Sequence, residues 1–382
     1  MIIAILSRHP NGYSTRRLYS ESLRRGHDAA ILDTLRCSIH LQEKSPELFY
    51  FSTKLPHFDA IIPRIAPTIT FYGLAVLRQF EMMGVYTPNE SIAIARSRDK
   101  LRAAQILSRH DIGIPPTAFV RSKGEVLPAI QRLGGAPVMI KILEGTQGIG
   151  VILAENERVA EAIIETLQFA KQNVLIQKFI KESKGRDIRA IVVGDRVVAA
   201  MRRQAVGDEY RSNVHRGSQT QKITLDATYE HTAIRAAQII GLRVAGVDML
   251  ESDEGPQVME VNSSPGLEGI EQTTGINVAE AIIQEIEHQV LFPDVDLRQR
   301  LRLAAGYGIA EFAVHNMPSL EGKCLRDARL FEHSIRVIHI TRNTFIIPNP
   351  GGDEVIQTGD MLLCYGELNE LRALMPNRKK PF

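Results

Sequence analysis

Val258-Met259-Glu260-Val261-Asn262-Ser263-Ser264-Pro265-Gly266 puts two oxygen donors into an apolar strand, and its reading decides the architecture. On a strand, positions i and i+2 share a face, so Glu260 and Asn262 project side by side. A carboxylate beside an amide oxygen fills a core poorly. It suits Mg²⁺, a hard cation that takes one or two carboxylates and leaves its other positions to water and phosphate. Upstream, Ala245-Gly246-Val247-Asp248-Met249-Leu250 is a second apolar strand with one acid at its centre. Neighbouring strands with inward acids predict an ATP-dependent metal site. The competing reading, isolated acids capped by hydrogen bonds at strand ends, suits either strand alone better than the pair.

The chain around this centre has 382 residues, enough for two or three domains at roughly 150 residues each. With 44% hydrophobic and 24% charged residues, the composition is that of a soluble protein. A net charge of +2 gives no global argument for nucleic acid or membranes, so any basic function is local. No apolar run approaches the ~20 residues needed to span a bilayer. The opening Met1-Ile2-Ile3-Ala4-Ile5-Leu6 is short and lacks a cleavage-site pattern, so it reads as a first strand rather than a signal peptide. Cys37, Cys324 and Cys364 are odd in number and far apart, which excludes a disulfide framework or a CxxC metal knuckle. These features predict a cytoplasmic protein.

Residues 1–96 alternate strand and helix: strand 2–6, helix 13–25, strand 29–32, strand 58–63 and helix 71–83, as in a parallel α/β layer. A helix over 98–109 then leads to a break at Pro115-Pro116. A long α+β region follows to residue 288, including a hairpin of 188–193 and 196–202 turned at Gly194-Asp195. Residues 289–305 read as a linker. A third unit, 306–382, has strands predicted at 335–341, 344–347 and 361–365 and a closing helix near 368–374. At about 75 residues it is marginal alone.

Pro137-Val138-Met139-Ile140-Lys141 is a strand ending in lysine, suited to holding a phosphate; alone, a snorkelling surface lysine is the simpler reading. Glu144-Gly145-Thr146-Gln147-Gly148-Ile149-Gly150 follows at once, a loop whose amides suit covering phosphates, although it matches neither GxGxxG nor the P-loop. Lys100, in Arg98-Asp99-Lys100, offers another cation. In Val174-Leu175-Ile176-Gln177-Lys178-Phe179-Ile180, a strand backbone could read an adenine edge, and Asp187 offers an acceptor to the nucleoside. Arg189, Arg202, Arg203 and Arg211-Ser212-Asn213 form a locally basic wall that favours an acidic substrate; the alternative is a solvated hairpin face.

This ordered set, from Lys141 through the EGTQGIG loop, QKFI, Asp187, RSN at 211–213 and Asp248 to EVNSSPGLEG at 260–269, resembles the ATP-grasp ligases. More closely it resembles the RimK group, which adds glutamate to the C-terminus of a small-subunit ribosomal protein. PRI at 63–65, ITFYG at 69–73 and LRQFEMMG at 77–84 share in the resemblance, which covers residues 1–288. It implies an ATP-grasp fold, α/β and α+β, with a parallel pre-ATP-grasp domain at 1–96 and the ligase domain at 97–288. It also implies two Mg²⁺ or Mn²⁺ ions on Asp248, Glu260 and Asn262, with Glu260 bridging. Lys100, Lys141, Gly145, Thr146, Gln147 and Gly148 would meet the ATP phosphates. The backbone of Lys178 and Phe179 would hold adenine, Asp187 the nucleoside, and Arg211, Ser212 and Asn213 the phosphates. The family usually has Glu where this chain has Lys178. Residues 306–382 resemble the TrkA-C ligand-binding module, through Leu320-Glu321-Gly322-Lys323 and Thr358-Gly359-Asp360 among others.

The activity implied is carboxylate activation by ATP, with L-glutamate as amine donor and an acidic protein or peptide as acceptor. Arg203 and Arg211 are the catalytic arginines on this reading, joined by Arg189 in orienting carboxylates. A homodimer or homotetramer is expected through the third unit. Two other readings remain: an ATP-grasp ligase for another amino acid or small acid, and a nucleotide-sensing regulator acting through the C-terminal module.

Overall fold

The structure, a computed structural model, describes residues 1–43, 46–143, 150–183, 185–206, 218–291, 306–314, 320–343 and 345–373. The chain divides into two compact units, Met1–Pro293 and Asp294–Phe382.

The first unit opens with β1 (Ile2–Ser7), α1 (Tyr13–Arg24) and β2 (Asp28–Leu32). After a small antiparallel meander of β3 (Cys37–His40), β4 (Glu47–Tyr50) and β5 (Thr53–Lys54) comes β6 (Ala60–Arg64). Strands β2, β1 and β6 form a parallel sheet in that order. A parallel sheet is covered on both faces, so its strands need unbroken apolar runs. Thus Ala4 and Leu6 join one core with Leu74, Leu77 and Phe80, while Ile3 and Ile5 join another with Leu18, Ile282 and Ile286. The meander has no clear signal in the sequence, because its strands are two to four residues long and carry no clear alternation.

Helix α2 (Thr70–Met82) packs so closely on the exit of β6 that a Cβ at Gly73 would lie 2.4 Å from Ile65 Cγ2. Alanine gains about 1 kcal/mol of helix propensity over glycine, but overpacking a core site costs about 1–3 kcal/mol. Gly73→Ala is therefore expected to lower the denaturant midpoint. A parent-like midpoint would mean that Ile65 repacks freely.

The helix expected over 98–109 is two helices. α3 (Ser91–Arg98) and α4 (Lys100–Arg109) meet at Asp99, whose extended backbone ends the first and whose carboxylate accepts from Arg102 N (3.0 Å) to cap the second. An antiparallel sheet follows, in the order β7 (Thr117–Phe119), β10 (Val174–Lys178), β8 (Val138–Ile142) and β9 (Val151–Ala154). Helices α5 (Val126–Arg132) and α6 (Glu157–Phe169) cover it, closing a core of Val126, Ile130, Ile140, Ile164 and Ile176.

The largest sheet runs β13 (Gln219–Lys222), β12 (Arg196–Gln204), β11 (Arg186–Val193), β14 (Val244–Ser252) and β15 (Gly255–Asn262). Helix α7 (Ala227–Ile240) lays Ala233, Ala236, Ala237 and Ile240 on one face, in a core with Ile188, Ala190 and Val192. The unit ends with α8 (Glu268–Thr274) and α9 (Val278–Leu291). None of the described helices is long and apolar enough to cross a membrane.

In the second unit four strands pair as β16 (Tyr307–Ala313), β19 (Met361–Glu367), β17 (Arg336–Arg342) and β18 (Phe345–Pro348), followed by α10 (Leu368–Ala373). Three of these strands match those expected from the sequence, and β16 is additional. Phe312, Ile335, Ile340, Leu362, Cys364 and Leu371 form its core, whereas Phe345 and Ile346 on the edge strand β18 stay 76% and 61% exposed.

Candidate active site

The acids singled out in sequence sit on adjacent antiparallel strands. Asp248 on β14 lies opposite Glu260 on β15, and Gly246 lies opposite Asn262. A bulge makes this possible. Pairing steps from Met249↔Val258 to Asp248↔Glu260, so Met259 is an extra residue. In an unbroken ladder Val258 and Glu260 would share a face. The bulge sends Val258 into the core with Val247, Met249 and Val261, and leaves Glu260 and Asn262 across from Asp248 and Gly246.

Asp248 is buried and gripped by two arginines. Arg189 is bidentate to it (Nε–Oδ1 2.7 Å, Nη2–Oδ2 2.6 Å), and Arg203 Nη2 lies 3.1 Å from Oδ2. Burial opposes the charge, but the guanidinium groups of Arg189 and Arg203 outweigh it and hold the carboxyl below its ordinary range. Asn262 Nδ2 donates to Gly246 O (3.4 Å) and Asp248 Oδ2 (3.5 Å). The Glu260 residue is exposed in the ligand-free chain. Desolvation by the surrounding protein, and then the Asp248 charge, push its carboxyl above the usual range, with Arg189, Lys100 and Lys141 opposing.

The two lysines expected at phosphate do come near this carboxylate. Desolvation pulls Lys141 on β8 down to about 8, against the attraction of Glu260. Lys100, at the start of α4, is also lowered by desolvation, and its Nζ donates to Ile142 O (2.9 Å) and Leu143 O (3.3 Å). Helix α4, β8 and β15 therefore bring two cations toward one acid. Asp248, Glu260 and Asn262 all offer oxygen, which fits a hard divalent cation. A carboxylate has about four lone-pair sites, so Asp248 can keep its arginines and still ligate. Among the described residues no three His, Cys, Asp or Glu gather at a metal-binding spacing, so this donor set depends on the amide of Asn262.

Asp187, expected at the nucleoside, and Arg203, expected in a basic wall that orients an acceptor carboxylate, meet in the structure. Both are 2% exposed and bind each other, Arg203 Nε and Nη2 each 2.6 Å from an Asp187 oxygen. The cause is a second bulge. The hairpin begins Val193↔Arg196 and Val192↔Val197, then shifts to Ile191↔Ala199, which puts Asp187 opposite Arg203 instead of Arg202. Arg202 pairs with Glu251 (2.6 Å). At Lys178 the backbone N–H already donates to Pro116 O (2.8 Å), so adenine would have to be read by other main-chain groups there or at Phe179. Gly145, Thr146, Gln147 and Gly148, and likewise Arg211, Ser212 and Asn213, lie outside the described residues.

One positioning residue escaped sequence reading. Buried Asn89 donates to Val244 O (2.7 Å) and Ser263 O (2.8 Å) and accepts from the amides of Arg243 and Val244 (3.0 Å each). It therefore joins the start of β14 to the end of β15. Nothing around Thr87-Pro88-Asn89 signals contacts more than 150 residues away.

The RimK PreATP-grasp domain matches residues 1–94, the RimK-like ATP-grasp domain residues 97–286, and the TrkA-C domain residues 309–377. A probable alpha-L-glutamate ligase of Rhodopirellula baltica is 57% identical over 378 residues, covering 99% of this chain and 93% of that protein. A probable alpha-L-glutamate ligase of Pseudomonas putida strain GB-1 is 56% identical over 287 residues, covering 75% of this chain and 95% of its own. Among solved structures, the ATP-grasp ligase PsnB complexed with minimal precursor, Mg and ADP superposes with a TM-score of 0.61 at 20% identity. That match covers 76% of this chain and 98% of PsnB, and at such identity it shows a shared fold.

Proposed function

The chain belongs to the RimK family of ATP-grasp proteins and is an ATP-dependent ligase; on that premise we propose that it joins the amine of L-glutamate to an acceptor carboxylate through an acyl phosphate. The acceptor is an acidic protein or peptide, with the C-terminus of a small-subunit ribosomal protein as first candidate. The observation that carries the reading is the convergence of Lys100 and Lys141 on Glu260, beside Asp248 and Asn262.

The acceptor carboxylate attacks the terminal phosphorus of ATP, and ADP leaves. The glutamate amine then attacks the carbonyl carbon of the acyl phosphate, loses a proton to solvent, and expels inorganic phosphate as the amide forms. Lys100 and Lys141 hold the transferring phosphate by charge, and a phosphate beside Lys141 favours its protonated form. Asp248, kept ionised by Arg189 and Arg203, would hold Mg²⁺ or Mn²⁺ together with Glu260 and Asn262. Such ions neutralise charge on the phosphates when bound. The test is mass spectrometry of candidate acceptor peptides after incubation with ATP and each amino acid in turn. Glutamyl additions support the proposal, and addition of a different amino acid, or ATP hydrolysis that ignores the acceptor, overturns it.

We further propose domain limits of 1–96, 97–288 and 306–382 about a linker, with the last part forming a subunit interface. Exposed Phe345 and Ile346 on the edge strand β18 support this. Deleting residues after 300 is expected to reduce the mass in light scattering to that of a smaller assembly while ligation persists. An unchanged assembly state would refute the interface.

A further inference from the structure

At the carboxyl end of the parallel sheet, Arg64 closes β6 beside Ser7 of β1. Its Nη1 donates to Pro265 O at 2.6 Å, and it has no carboxylate partner among the described residues. Pro265 follows Asn262 by three positions and packs on the strand of Asp248, since a Cβ at Gly246 would lie 2.9 Å from Pro265 Cβ. Ser264 Oγ donates to Pro63 O (3.2 Å), a second tie between β6 and this turn. The strand exit is braced in turn by Arg98, which donates to Ile65 O, to Ala66 O and to Thr70 Oγ1 and likewise lacks a carboxylate partner. Two guanidinium groups thus flank one bend, and neither has a counter-ion in the described protein.

Arginines removed from water are normally paired, because an unpaired buried charge is costly. Most other partly buried arginines of this unit follow that rule: Arg17 with Glu271, Arg25 with Glu287, Arg189 with Asp248 and Arg202 with Glu251. Arg98 spends its donors on backbone carbonyls and a hydroxyl. Arg64 has one such bond, leaving most of its five donors for another group. Burial lowers its pKa to about 10, consistent with a site that gains from an incoming anion.

We infer that Arg64 binds and positions a substrate carboxylate at the edge of the site formed by Asp248, Glu260 and Asn262. This rests on the ligase reading above and extends it to a residue of the N-terminal layer. Two sources share the chemistry: a carboxylate of L-glutamate, and a second carboxylate of the acidic acceptor. The ATP phosphates are the less favoured anion, since Lys100 and Lys141 already serve that role.

Steady-state kinetics on the full-length protein separate these. Arg64→Gln is expected to raise the KM of one acidic substrate at least ~10-fold, the scale of a lost charged hydrogen bond. A rise for glutamate alone or for the acceptor alone identifies the source. The Kd of a non-hydrolysable ATP analogue, read by calorimetry, should stay within about twofold. Arg64→Lys keeps the charge and loses the fork, so it should raise the same KM by less, and it carries the test if glutamine prevents folding. Unchanged KM values in Arg64→Lys, or losses shared equally by the ATP analogue and both carboxylates, would overturn the inference. If the parent enzyme turns over no acidic substrate at all, the ligase reading falls and this inference with it.

Discussion

Glu260→Gln is expected to reduce ATP-dependent ligation by at least ~10²-fold, the scale of losing several kcal/mol of phosphoryl stabilisation. The substitution preserves volume and removes the acid that attracts both Lys100 and Lys141. The fold should not suffer. Folding raises the Glu260 pKa, so the unfolded chain releases this proton first, and the parent loses stability as pH rises through the unfolded and then the folded value. Glutamine abolishes that loss. At neutral pH the variant should therefore unfold at the parent's midpoint or above it, while ADP release and amide formation both collapse. Turnover within threefold of the parent on a folded variant would remove Glu260 from the chemistry.

Arg203→Met should act in the opposite way, through stability. Its guanidinium, 2% exposed, bridges Asp187 at 2.6 Å and Asp248 at 3.1 Å. Breaking a buried ion pair on one side costs about 3–5 kcal/mol, because the remaining charge stays in a place that solvates it poorly. Denaturant unfolding reads this directly. The loss should be largest at neutral pH and shrink in acid. Asp248 is held below its ordinary pKa in the folded parent, so the stability it contributes is present above the unfolded value and disappears as pH falls through the folded one. Parent-like stability combined with a raised acceptor KM would instead return Arg203 to the substrate-facing role expected from sequence.

The contrast between these variants marks how far sequence carries. Glu260 and Asn262 were legible because positions i and i+2 of an unbroken strand share a face, and Asp248 because a single acid stood in an otherwise apolar run. The parallel layer was legible from the alternation of strand and helix over residues 1–96, a spacing that crossover connections between parallel strands require. Lys100 and Lys141 could be named as phosphate cations, but their shared approach to Glu260 required three elements to meet.

What tertiary structure alone decided was register and long-range pairing. The extra residue at Met259 and the shift between Ile191 and Val192 each change which side chains face one another, and neither has a local composition cue. The second shift sets Asp187 opposite Arg203, where the two form one buried pair. Asn89 binding Val244 and Ser263, and Arg64 binding Pro265, join positions more than 150 residues apart. Local propensity carries no record of such contacts. They form only once the two sheets have met, when each buried polar group must take whichever partner the packed backbone brings within reach.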